Sequence, residues 1–116
     1  MIVVRTTLNV LPEKQLEVMQ TLGSLIEDVA KETGCRRYSV SCDIKDNNCI
    51  SLLEEWETRK NLDRHIMSQR FGVLLGIKTL LCEPIEIQIH TVSKSEGMEA
   101  IVALRNKNAK RKPGRS

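Results

Sequence analysis

The feature that most constrains this chain is a change in hydrophobic period, which switches from two to about 3.6 and back twice. Residues 2–10 alternate, with Ile2, Val4, Leu8 and Val10 on one side and Arg5, Thr7 and Asn9 on the other. That alternation is the signature of a strand with two unlike faces. Pro12 then presets a helical φ and Glu13 sits favourably at the positive end of the coming dipole. Leu16, Met19, Leu22, Leu25, Ile26, Val29 and Ala30 recur at steps of three and four, and Gly34 offers a left-handed stop.

From Arg37 the period returns to two. Tyr38, Val40, Cys42 and Ile44 share a face, Lys45-Asp46-Asn47-Asn48 carries turn chemistry, and Cys49 to Glu57 reads as the return strand of a hairpin. Thr58 can cap a second helix bearing Leu62, His65 and Ile66, and Ser68 looks like a second cap, so a break is expected near Met67. Pro84 closes that region, and Ile85, Ile87 and Ile89 alternate with Glu86, Gln88 and His90 in a last strand. Two right-handed crossovers in a β-α-β-β-α-β order give an α+β, ferredoxin-like fold with a four-stranded antiparallel sheet and helices on one face.

Apolar residues on both sides of the third strand, Ile50, Leu52 and Trp56 against Leu53, suggest that the other sheet face is covered too. A second copy of the chain covers it most economically, so a homodimer is expected.

The chain has 116 residues, within the size of one domain. We assign residues 1–93 to the folded domain, 94–104 to an extension forming a short helix or an arm on the partner, and 105–116 to a basic, disordered tail. That tail holds six of the eighteen basic residues and no acid, leaving twelve bases against fifteen acids, about −3, on the rest. Such a tail could bind phosphates, and it is the one place where nucleic acid would bind, because the domain has no basic-aromatic recognition face. No stretch approaches the roughly 18 apolar residues of a membrane span, and the N-terminus alternates instead of resembling a signal peptide, so a cytoplasmic protein is expected. Cys35, Cys42, Cys49 and Cys82 lack metal-ligand spacing and read as free thiols, although Cys42 and Cys49 could meet across the hairpin.

The segment Glu54-Glu55-Trp56-Glu57, followed by Leu62, His65, Ser68 and Phe71, resembles the antibiotic biosynthesis monooxygenase family, a dimeric α-β barrel group that includes quinol monooxygenases. Glu32-Thr33-Gly34-Cys35 running into Tyr38, and Glu83-Pro84-Ile85 entering the last strand, extend the likeness over roughly residues 1–93. The resemblance implies oxygenation of a quinol, polycyclic phenol or anthrone by dioxygen with no metal, flavin or haem cofactor. Such chemistry needs a base and a dry cavity, since a deprotonated phenol is the better electron donor.

His65 is the candidate base, because imidazole can take and return a proton at neutral pH; the alternative is a hydrogen-bonded core or dimer-seam histidine. Trp56 could stack on an aromatic substrate or simply pack. Phe71 and Leu75 could line the cavity, with Thr7 and Asn9 adding polar contacts. Glu54 shares a sheet face with Trp56 and is expected in a structural ion pair with Arg5, Arg37 or the partner chain. Haem-degrading relatives of this fold use a strand Asn and a helical Trp and His; here Thr7, His65 and Leu75 or Gly76 fall near those places, which argues against haem. The competing reading is a non-catalytic small-molecule-binding or signal-processing dimer of the same fold.

Overall fold

The computed structural model describes residues 1–111. Strand β1 spans Ile2–Asn9, and Pro12 opens a short 3-10 turn that leads into helix α1, Gln15–Ala30. Strands β2, Cys35–Cys42, and β3, Cys49–Trp56, form the hairpin. Helices α2, Arg59–Ile66, and α3, Gln69–Gly76, precede strand β4, Glu86–Thr91, and helix α4, Met98–Arg111. The strands pair antiparallel in the order β2-β3-β1-β4, the ferredoxin-like order that two right-handed crossovers require.

The break between α2 and α3 falls where the sequence puts it. The Thr58 hydroxyl accepts from the Asn61 N–H at 3.1 Å and that of Ser68 from the Phe71 N–H at 3.3 Å. Two caps thus start two helices, satisfying N–H groups that have no partner in the first turn. Gly34 ends the α1 connection at φ +80°, where any Cβ would also strike the side chain of Asn61.

Register sorts the side chains. On β1, Ile2, Val4, Thr6 and Leu8 are buried against the helices; their β3 partners are Trp56, Glu54, Leu52 and Ile50. Val18, Leu22, Leu25 and Val29 make the buried stripe of α1, while Leu16 is 70% exposed. The buried row is therefore rotated from the expected one, because steps of 4, 3 and 4 from Val18 track the sheet and Leu16 lies off that line.

Three expectations are corrected. The second sheet face carries Val3, Cys49 and Leu53 among Arg5, Thr7, Asn9, Arg37, Ser39, Ser41, Ser51, Glu55, Glu86, Gln88 and His90. It is mainly polar, not a bare apolar surface. Exposed apolar groups lie instead on the helix side of edge strand β4, at Ile87 and Ile89, and on α4, at Met98, Ile101, Val102 and Leu104. Secondly, α4 continues past residue 104 to Arg111, as a run rich in Ala, Leu, Arg and Lys favours; residues 112–116 of the expected tail lie outside the described residues. Thirdly, Cys42 and Cys49 cannot meet across the hairpin, since Cys42 pairs with Ile50 on the helix face and Cys49 with Asn9 on the other; all four cysteines are free.

Candidate functional site

The helix-facing side of β2 and β3 holds a buried polar cluster. Glu54 stands beside Val4 on one neighbouring strand and Tyr38 on the other, with Trp56 two residues on. Over them α2 lowers His65, which is 1% exposed, as part of the same face that buries Leu62. The His65 ring stacks on Trp56, with centroids 4.7 Å apart and planes inclined by 27°. Phe71 meets it edge-on at 5.5 Å and Tyr38 at 6.3 Å.

Carboxylates flank both ring nitrogens. His65 Nδ1 lies 2.9 Å from Glu32 Oε1, and Nε2 lies 3.7 Å from Glu54 Oε1, the second too long for a hydrogen bond. The Trp56 indole N–H donates to Glu54 Oε1 at 3.0 Å. Burial pushes the Glu54 carboxyl above the ordinary carboxylate range, while the Trp56 N–H and His65 pull it back. Burial, helped by the negative Glu54 and Glu32, likewise pushes the Tyr38 hydroxyl upward.

Three buried polar atoms in this region have no hydrogen-bond partner: Thr6 Oγ1, Glu54 Oε2 and His65 Nε2. Leaving such groups unsatisfied costs about 1–3 kcal/mol each. Native cores keep few of them outside functional sites.

The structure thus brings His65, Trp56, Glu54 and Phe71 together. It separates Thr7 and Asn9 from them. Both lie on the opposite sheet face, where Asn9 donates to Glu83 at 3.4 Å and Thr7 lines a half-open hollow of about 520 Å³ with Arg5, Ile85, Glu86, Ile87 and Gln88. Leu75 is 44% exposed on α3. Glu54 has neither expected arginine as partner, because Arg5 and Arg37 have the wrong parity; Arg37 pairs with Glu55 at 3.9 Å.

Sequence reasoning missed Glu32 of the cluster and the buried Thr6, which stands opposite Leu52 on the same sheet face. Thr6 has the parity of Val4 and Leu8, and a polar residue at a buried parity position is a readable signal. Glu32 comes to His65 across 33 residues of chain, and only the turn at Gly34 sets that approach. A second hollow of about 360 Å³ opens over Glu32, lined by Asp28, Lys31, Thr33, Asn61, Arg64, Ser68 and Arg70. Among the described residues no group of three or more His, Cys, Asp or Glu side chains is arranged to hold a metal ion.

A family profile described as antibiotic biosynthesis monooxygenase matches residues 1–73, which carry β1 through α2 and every member of the buried cluster. The chain belongs to the antibiotic biosynthesis monooxygenase family. A conserved protein from Methanosarcina mazei is 36% identical over 77% of this chain and 89% of its own, with a TM-score of 0.73. A solved antibiotic biosynthesis monooxygenase is 23% identical over 81% of this chain and all of its own, with a TM-score of 0.75. A Mycobacterium tuberculosis protein is 20% identical over 83% of this chain and 98% of its own, with a TM-score of 0.76. The last two likenesses are of fold. No curated protein matches the sequence.

Proposed function

We propose that this member of the antibiotic biosynthesis monooxygenase family is a dimeric, cofactor-independent monooxygenase that oxidises a quinol, polycyclic phenol or anthrone with dioxygen. The observation that carries this reading is the buried His65, stacked on Trp56 between two carboxylates, with its Nε2, Glu54 Oε2 and Thr6 Oγ1 unpartnered. Of these, His65 Nε2 and the neighbouring Glu54 Oε2 offer an acceptor and a carboxyl oxygen to a reacting oxygen group.

In this mechanism His65 Nε2 takes the proton of the bound phenol or anthrone. The resulting anion gives one electron to dioxygen, and the radical pair closes a C–O bond. His65 returns the proton to the terminal peroxide oxygen. The O–O bond then breaks as the ring carbon loses its hydrogen and hydroxide leaves as water, so a CH₂ and O₂ become a carbonyl and H₂O. The low dielectric around His65 supports this by strengthening each electrostatic contact.

The test is oxygen uptake with a quinol. His65→Ala is expected to abolish it in a protein that still folds, and uptake unchanged in that variant sinks the reading. Exposed Ile87, Ile89, Met98, Ile101 and Val102 support a dimer; sedimentation equilibrium giving one chain mass at micromolar concentration counts against it.

One observation favours a second reading. Trp56 and Glu54 are 0% exposed and neither hollow is lined by His65, as befits a cluster that packs the core of a non-catalytic binding domain. Saturable quinone binding with no oxygen uptake selects this alternative.

A further inference from the structure

The two nitrogens of His65 are not equivalent. Nδ1 is 2.9 Å from Glu32 Oε1, in hydrogen-bond range, whereas Nε2 is unpartnered. Glu32 is itself held from outside, since Arg70 Nη1 donates to its other oxygen at 3.4 Å. Its side chain is 15% exposed, at the edge of the hollow where Lys31, Arg64 and Arg70 face Asp28 and Glu32 itself. A carboxylate accepts and does not donate, so this contact requires the hydrogen of neutral His65 to sit on Nδ1 and the lone pair on Nε2.

The ring is fixed from other sides as well. Trp56 covers one face, Phe71 and Tyr38 stand in T-shaped arrangement with it, and the Ser68 hydroxyl donates to the His65 carbonyl oxygen at 2.6 Å. The charged and titratable groups around it are Glu32 from the α1–β2 turn, Glu54 from β3, Tyr38 from β2 and, behind Glu32, Arg70 from α3. Only Glu32 is both hydrogen-bonded to the ring and reachable from solvent.

We propose that Glu32 is the positioning residue of His65: it holds the Nδ1–H tautomer that aims the Nε2 lone pair into the core, and it balances the imidazolium formed when Nε2 takes a proton. The assignment rests on the reading of His65 as base. Its physical logic is that of a carboxylate orienting an imidazole, where the orienting group never touches the substrate. Arg70 keeps the Glu32 carboxylate turned inward, and with Glu32 removed the hollow, lined by Lys31, Arg64 and Arg70 against Asp28, gives small anions a way to the same place.

The tautomer is read directly in ¹⁵N-labelled full-length protein by long-range ¹H–¹⁵N correlation. The chain has two histidines, and His90→Gln identifies the other. In the unmodified protein His65 is expected as the Nδ1–H form; an Nε2–H form overturns the proposal without any variant. Glu32→Ala is expected to convert His65 largely to the other tautomer or a mixture, and an unchanged spectrum overturns the proposal.

Kinetically, Glu32→Ala is expected to lower kcat on the order of 100-fold with KM within about twofold. Added formate, placed where the carboxylate stood, is expected to restore turnover at least ~10-fold, and Glu32→Asp to rescue in part. A lost kcat that neither formate nor Asp recovers means that Glu32 only supports the fold. Absence of oxygen uptake in the unmodified protein removes the monooxygenase reading while leaving the tautomer measurement to decide the role of Glu32.

Discussion

His65 lies nearly parallel to Trp56, 4.7 Å between ring centres, while the same indole donates its N–H to Glu54 at 3.0 Å. One side chain therefore fixes both the plane of the imidazole and the position of the carboxyl that faces it. Trp56→Phe keeps a ring for stacking and removes the donor. It is expected to destabilise the fold by about 2 kcal/mol, from the lost hydrogen bond and the smaller ring. Urea denaturation measures this, and a loss under about 0.5 kcal/mol contradicts the shared role.

Glu54 makes stability depend on pH in an unusual direction. Because burial raises its carboxyl above the ordinary range, the folded protein keeps this proton to a higher pH than the unfolded chain does. Between those two values the unfolded state binds fewer protons, so stability falls as pH rises. Glu54→Gln removes that dependence. The melting temperature of the variant relative to the parent is expected to climb as pH rises above the ordinary carboxylate range. A difference that is flat or falls with pH contradicts the buried, protonatable assignment.

Gly34 combines a left-handed backbone with no room for a Cβ beside Asn61. Gly34→Ala is expected to cost at least ~1–3 kcal/mol. Since the same turn carries Glu32 towards His65, the substitution is also expected to disturb the His65 resonances. A melting temperature equal to that of the parent argues against this geometry.

The Ser68 hydroxyl both accepts from the Phe71 N–H and donates to the His65 carbonyl oxygen. Ser68→Ala is therefore expected to cost more than Thr58→Ala, about 2 kcal/mol against about 1. The Thr58 hydroxyl likewise accepts from the Asn61 N–H and donates to Asn61 Oδ1 at 2.7 Å, but it does so at the exposed surface, where water can replace both bonds. Equal losses in thermal denaturation contradict the half-buried setting of the Ser68 bonds.

How much of this was legible in the residues follows the range of each signal. Period and capping are local, so the hairpin, the Ser68 break and the strand order could be read. Parity is local too, and it put Glu54 and Trp56 on one face. It also put Thr7 and Asn9 on the other face, where register leaves them out of the cluster, and passed over Thr6 at the buried parity. The partner of Glu54 was mistaken because Arg5 and Arg37 are near it in the sheet but point through the opposite side. Glu32 carries a signal in its spacing and none in its chemistry, since nothing short-range joins it to a histidine 33 residues away. At the C-terminus, charge density suggested disorder, whereas helix-forming residues through 111 decide the backbone.

Helix α4 shares few contacts with the other elements, and among residues 98–109 only Ala100 is not exposed. The molecule measures 61 × 34 × 22 Å, with a radius of gyration of 18.8 Å, where a compact chain near this length would have roughly 13 Å. A rod attached to a small body drags on solvent far more than its mass suggests. A single copy should thus elute from gel filtration ahead of globular standards of equal weight, at a volume easily mistaken for that of a pair.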